Sequence, residues 1–157
     1  MESVADGKAA LDCGAWDAIQ VEVNLFISAA LRELIPLAVQ RGVGIVVKRP
    51  LDHGMLSGKY GADARFGPGD ARGHVPPDEL EWRARAVDRL RFLWQATGRT
   101  PVQAALRFIL DEPGVSTVIP GIKTPAQVEE AFASVAVARL SDAERARLRR
   151  EQDAGWR

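Results

Sequence analysis

The run Thr117-Val118-Ile119-Pro120-Gly121-Ile122-Lys123-Thr124-Pro125-Ala126-Gln127-Val128-Glu129-Glu130 carries the architecture of this chain. A β-branched apolar segment stops at Pro120-Gly121, and a helix opens behind it. Thr124 is its N-cap, Pro125 its first residue and Gln127 its third, a capping box with an N-terminal proline. A strand that passes through a short turn into a capped helix leaves backbone N–H groups free at the helix start. Those donors and the helix dipole favour an anion such as a phosphate, and Lys123 adds a positive charge beside them. Helix capping alone also explains the pattern Thr-Pro-x-Gln, so the segment has a purely structural reading as well.

Working outward, Gln20-Val21-Glu22-Val23-Asn24-Leu25-Phe26 reads as a strand and its exit. Lys48-Arg49-Pro50-Leu51-Asp52-His53-Gly54-Met55-Leu56-Ser57-Gly58-Lys59-Tyr60 reads as a strand end and a loop. In this order and spacing the three blocks resemble the sixth strand, the seventh strand and the last βα unit of aldo-keto reductases. The resemblance runs from about residue 4 to residue 157. It implies an α/β fold: an incomplete (β/α)8 TIM barrel of about three parallel strands with flanking helices. A full barrel of this kind takes roughly 250 residues, and the chain has 157. The resemblance therefore implies the C-terminal portion of a barrel, as a single domain over residues 1–157, with no counterpart of the first five βα units.

Lys+Arg and Asp+Glu both number 21, a formal net charge of zero, which gives no support for nucleic-acid or membrane-surface binding. No stretch approaches the 18 or so apolar residues of a membrane span, and the first seven residues have no apolar core of signal-peptide length. The single cysteine, Cys13, cannot form an internal disulfide, which fits a reducing, cytoplasmic setting. It reads as a small buried apolar residue rather than a nucleophile.

The chain reads as alternating helices and strands. A short helix is expected over 8–15, a strand over 18–23, and a helix from Ser28 to about residue 41 with Leu31, Leu34, Ile35 and Ala38 on one face. A second strand follows over 43–48. Residues 50–77 hold glycines and prolines in number and read as a loop. Asp78 is the expected cap of a helix to about residue 96. Thr100-Pro101-Val102-Gln103 and Ser141-Asp142-Ala143-Glu144 are two more capping boxes, the second opening a helix over about 142–153. The third strand is expected over 115–119. The helix capped by Thr124 is expected to pack through Val128, Phe132 and Val135. Strands separated by helices give βαβ units and a parallel sheet.

In the family the resemblance points to, hydride passes from a nicotinamide to a carbonyl carbon while a tyrosine, tuned by lysine and histidine and supported by aspartate, donates the proton. All four belong to the first half of the barrel and none carries over here. Tyr60, the only tyrosine, matches a loop end and reads as packing. Losing a placed general acid forfeits about 10²- to 10⁴-fold in rate. His53 and His74, with no cysteine or carboxylate cluster at ligand spacing, do not make a metal site; His53 is either a surface polar residue or a neighbour of a cofactor pyrophosphate.

The resemblance implies part of an NADP site. Gln20 matches the residue that binds the nicotinamide amide, or is a polar group at a strand end. Lys48 stands where many members place a ring-stacking tyrosine. Pro50, Leu51 and Gly54 match backbone along the pyrophosphate. Gly121, Lys123, Thr124 and Gln127 match the 2′-phosphate loop, where many members carry arginine at the positions of Lys123 and Gln127. Glu130 matches a glutamate near the adenosine, and Ala131 replaces an asparagine that contacts adenine. Weak binding of NADP is the expectation. Three readings follow: a truncated or split oxidoreductase; a half completed by a chain carrying the N-terminal barrel half; or a non-catalytic binding or assembly protein. Three strands leave two bare edges, and their barrel-facing side is expected to be apolar and to drive self-association.

Overall fold

The computed structural model describes residues 1, 3–67, 69, 70, 72, 73 and 75–157. Ten regular elements alternate along it: α1 (Val4–Cys13), β1 (Ala18–Glu22), α2 (Ala29–Glu33), α3 (Ile35–Gln40), β2 (Gly44–Lys48), α4 (Pro77–Arg89), α5 (Pro101–Leu110), β3 (Thr117–Ile119), α6 (Pro125–Phe132) and α7 (Asp142–Asp153). The strands form one parallel sheet in the order β1-β2-β3. This is the expected α/β wedge of a (β/α)8 barrel.

Alternation along the strands sorts the side chains. Ile19, Val21, Ile45 and Val47 are buried against the helices, where they join Leu34, Ile35, Leu90, Leu93 and Ile109 in one core. The register places Gln20, Val46 and Thr117 in one row across the sheet, and Glu22, Lys48 and Ile119 in the next. The inner face is therefore mixed rather than apolar, because the strands send their large apolar residues to the helix side.

Several local expectations are corrected. The first helix begins four residues earlier than its sequence pattern, capped by a box between Ser3 and Asp6. Gly7, inside this helix, lies so close to Leu34 that an added Cβ would collide. The helix expected after Ser28 is two helices broken at Leu34, because Pro36 lacks an N–H and crowds the preceding turn. The cap of α4 is Pro76, not Asp78, and Pro77 takes the first helical position. That helix ends at Arg89; beyond it the Leu93 carbonyl accepts from Thr97 Oγ1 and Arg99 Nε. The loop 50–77 contains a 3-10 turn, Asp52–Ser57. Cys13 is exposed at the end of α1.

The largest correction concerns α6, in which no residue is buried. Phe132 and Val135 are 73% and 67% exposed and Val128 39%. The stripe has helical spacing, but these side chains stay exposed rather than joining the core. Behind it, the chain from Ala133 to α7 is clamped by arginines, of which Arg99 and Arg107 are buried and Arg145 half-buried. Arg107 and Arg145 reach the Asp111 carboxylate at 2.6 and 3.0 Å. Arg99 donates to the carbonyls of Ala138 and Arg139 and pairs with Glu144.

Candidate functional site

The C-terminal ends of β2 and β3 open into a cleft of about 860 Å³. Its floor starts where β2 leaves the sheet. Arg49 takes a left-handed φ of 52°, and Asn24, fully buried at the end of β1, donates from Nδ2 to the Arg49 carbonyl. The Asn24 Oδ1 accepts the N–H groups of Phe26 and Ile27, both at 2.9 Å, so one side chain fixes two strand exits. After Pro50 and Leu51, three successive residues are left-handed: Asp52 (φ 43°), His53 (54°) and Gly54 (92°). Glycine is needed at residue 54 for that φ, since an added Cβ would meet only ordinary contacts with Arg72 and Tyr60.

One wall is the loop after Gly58. Tyr60 and Phe66 meet edge to face at 5.3 Å, and the Arg72 guanidinium lies over both rings, 4.5 and 4.1 Å from their centres. Asp70 grips Arg72 in a fork, with Nε to Oδ1 at 2.9 Å and Nη2 to Oδ2 at 2.7 Å. Arg72 Nη1 also donates to the His53 carbonyl at 3.3 Å, which ties this wall to the floor. The hydrogen bond from the Arg72 side chain holds the Asp70 carboxyl well below the usual carboxylate range; Lys123 adds a smaller Coulombic contribution from the opposite wall.

That opposite wall is the turn and helix start after β3. Thr124 caps α6 by accepting the Gln127 N–H at 3.3 Å. The Gln127 side chain does not return to Thr124; its oxygen accepts the N–H of Lys123 at 2.7 Å. The expected capping box is thus made in only one direction.

Seven of the ten residues singled out in the sequence line this cleft: Pro50, Leu51, Gly54, Gly121, Lys123, Gln127 and Glu130. His53 and Ala131 line it too. Gln20 lies on the open inner face of the sheet in the row of Val46 and Thr117, and Lys48 stands half-buried beside Glu22. The Thr124 hydroxyl is turned to its own helix. His74 lies outside the described residues. Arg49, Lys59, Tyr60, Asp70 and Arg72 also line the cleft and had no assigned role there. Tyr60 does pack, as expected, but as part of the cleft wall. Among the described residues the lining carries four cationic side chains, Arg49, Lys59, Arg72 and Lys123, and two carboxylates, Asp70 and Glu130; Arg49 pairs with Glu22 at 3.0 Å and Arg72 with Asp70. Such a cleft suits an elongated anion. Among the described residues no group of three His, Cys, Asp or Glu is placed to hold a metal ion, and no helix is long and apolar enough to cross a membrane.

Residues 3–152 match the family model described as "Aldo/keto reductase family". The chain belongs to that family. Members of the aldo/keto reductase family bind NAD(P)H and act as oxidoreductases. The NADH-specific methylglyoxal reductase of Escherichia coli (strain K12) is 29% identical over 147 residues, which cover 92% of this chain and 44% of that protein. A probable voltage-gated potassium channel subunit beta of Arabidopsis thaliana is 29% identical over 124 residues, 75% of this chain and 38% of that protein. Among solved structures, the glycerol dehydrogenase of Gluconobacter oxydans superposes with a TM-score of 0.75 at 25% identity, covering 87% of this chain and 42% of that one. The chain thus spans less than half the length of these relatives.

Proposed function

We propose that this chain forms the adenosine-phosphate and pyrophosphate side of an NADP site in a carbonyl- or alcohol-acting oxidoreductase. One observation carries the reading. The turn 52–54, the loop through Arg72 and the start of α6 converge on a single cleft with four cationic side chains. Leu51 and Gly54 offer backbone along a pyrophosphate. Lys123 and the start of α6 suit a 2′-phosphate, with Glu130 toward the adenosine. A bound nicotinamide supplies the hydride; these residues hold and orient the nucleotide. The E. coli relative is named for NADH and the Gluconobacter relative for glycerol. Those names support nicotinamide chemistry on small carbonyl or alcohol compounds, and Lys123 favours the phosphorylated nucleotide here.

The proton donor and its tuning partners are proposed to come from outside these 157 residues. Tyr60 is engaged by Phe66 and Arg72 in the wall of the cleft. In this reading the chain is a truncated or split form, completed by a chain that carries the other barrel strands. Two copies would give six strands where the barrel has eight. A second reading, a non-catalytic binding or assembly protein, draws on the exposed stripe of Val128, Phe132 and Val135 and on a relative named as a channel subunit. The test is an assay of the isolated chain with NADPH and a simple aldehyde. No turnover is expected. Turnover that disappears in Tyr60→Phe would overturn the assignment of the proton donor.

A further inference from the structure

We infer that Arg83, which lies outside the cleft, is a positioning residue for the cleft floor, acting through its ion pair with Asp52. The inference rests on the cofactor-cleft reading only for its effect on binding. Asp52 and His53 are consecutive non-glycine residues with φ of 43° and 54°. That region is sparsely populated for such residues and persists only where the surroundings hold it. Here the surroundings are identifiable. Arg83 Nε, from α4, donates to Asp52 Oδ2 at 2.9 Å, and the Asp52 side chain is only 7% exposed.

Arg83 is itself locked. Its Nη1 donates to the Glu79 carbonyl at 3.1 Å and pairs with the Glu79 carboxylate, and its guanidinium lies 4.4 Å from the centre of the Trp82 ring. Glu79 accepts from Trp82 Nε1 at 2.9 Å and pairs with Arg157 near the C-terminus. One continuous set of contacts thus runs from the C-terminal residue through Glu79 and Arg83 to Asp52. Without Arg83, residues 52 and 53 lose a hold on their left-handed conformation, and the backbone of His53 and Gly54 moves off the floor. Arg72 reaches the same turn from inside the cleft; Arg83 does so from behind.

The experiment measures NADPH affinity of the full chain, together with the three-bond HN–Hα couplings of Asp52 and His53, which report φ. Arg83→Met is compared in the wild-type and His53→Gly backgrounds. In the wild-type background both couplings should shift, and NADPH affinity should fall by about fivefold or more, since an unsupported left-handed residue is costly. In His53→Gly the same change should cost clearly less than in wild type, because only Asp52 is then left as a non-glycine residue at φ > 0. Equal weakening in both backgrounds, or unchanged couplings, would overturn the inference, because a general stabiliser of α4 behaves that way. If Arg83→Met does not fold, Arg83→Lys and Arg83→Gln carry the same comparison; lysine should retain more of the couplings than glutamine. If wild type binds no NADPH, the cofactor reading fails and the couplings still decide this inference.

Discussion

The side-chain oxygen of Gln127 accepts the backbone N–H of Lys123 at 2.7 Å, one residue ahead of the N-cap that a capping box would serve. In the free chain Gln127 therefore occupies a donor at the place where a phosphate is proposed to sit. Gln127→Arg would release that N–H and add a guanidinium. A charge-assisted hydrogen bond is worth about 1.5–3 kcal/mol, so NADPH affinity should rise by roughly tenfold while NADH affinity stays within a factor of two or so. Competitive titration of the two nucleotides checks this; a parallel gain for both would place the effect elsewhere than the 2′-phosphate.

The Asp70–Arg72 fork makes a prediction about pH. The Asp70 carboxyl is held below the ordinary carboxylate range, chiefly by the hydrogen bond from the Arg72 side chain. A depressed folded-state pKa means that the contribution is present above the unfolded value of about 3.9. It is lost only as pH falls below that value toward the folded one. The Arg72 wall should therefore be indifferent to pH from about 5 to 8 and loosen only under strong acid. Carboxyl-carbon NMR of Asp70 would show a midpoint well under that of a free aspartate; a midpoint at or above it would contradict the fork.

Burial separates two aspartates that both pair with arginine. The Asp111 side chain is 1% exposed among Arg107, Arg139 and Arg145, whereas Asp12 pairs with Arg41 in the open. Removing one partner of a buried pair strands the others, so Asp111→Ala should cost about 3–5 kcal/mol. Asp12→Ala should cost under about 1 kcal/mol. Denaturant unfolding of the two variants distinguishes them, and similar losses would show that the hub behind α6 is not buried in solution.

The uncovered stripe on α6 should govern association rather than stability. Phe132→Glu removes a ring that touches little of its own chain, so the unfolding free energy should change by no more than about 0.5 kcal/mol. Self-association, or binding of a hydrophobic dye, should fall sharply. Sedimentation of wild type and variant reads this directly. A wild-type chain that is monomeric and binds no dye would mean that Phe132 is covered in a way this structure does not hold.

What the sequence made legible is local chemistry. The boxes at Thr100/Gln103 and Ser141/Glu144 form as their spacing requires, because their partners lie within one helical turn. The parallel strands follow from apolar runs between capped helices. The periodicity of Val128, Phe132 and Val135 contains nothing about whether an element lies opposite, and Val135 falls in the 3-10 turn beyond α6. The wall formed by Tyr60, Phe66, Asp70 and Arg72 was not legible, since a glycine-rich loop has no period. Its only sequence trace is an Asp-x-Arg pair downstream of two aromatic residues. The Arg83–Asp52 contact joins residues 31 positions apart and has no local signal. Gln20 and Lys48 match family positions only by resemblance, and the fold places both on the sheet rather than in the cleft lining.

The central claim, a cleft that holds a phosphorylated nicotinamide nucleotide, is tested most directly by calorimetric titration of wild type and Lys123→Ala with NADPH and NADH. Wild type should bind NADPH about tenfold more tightly than NADH or better, the equivalent of one charge-assisted contact. Lys123→Ala should remove most of that preference while leaving NADH binding nearly unchanged. Equal affinities for the two nucleotides in wild type, or a preference that survives Lys123→Ala, would contradict the account and leave the start of α6 as helix capping alone.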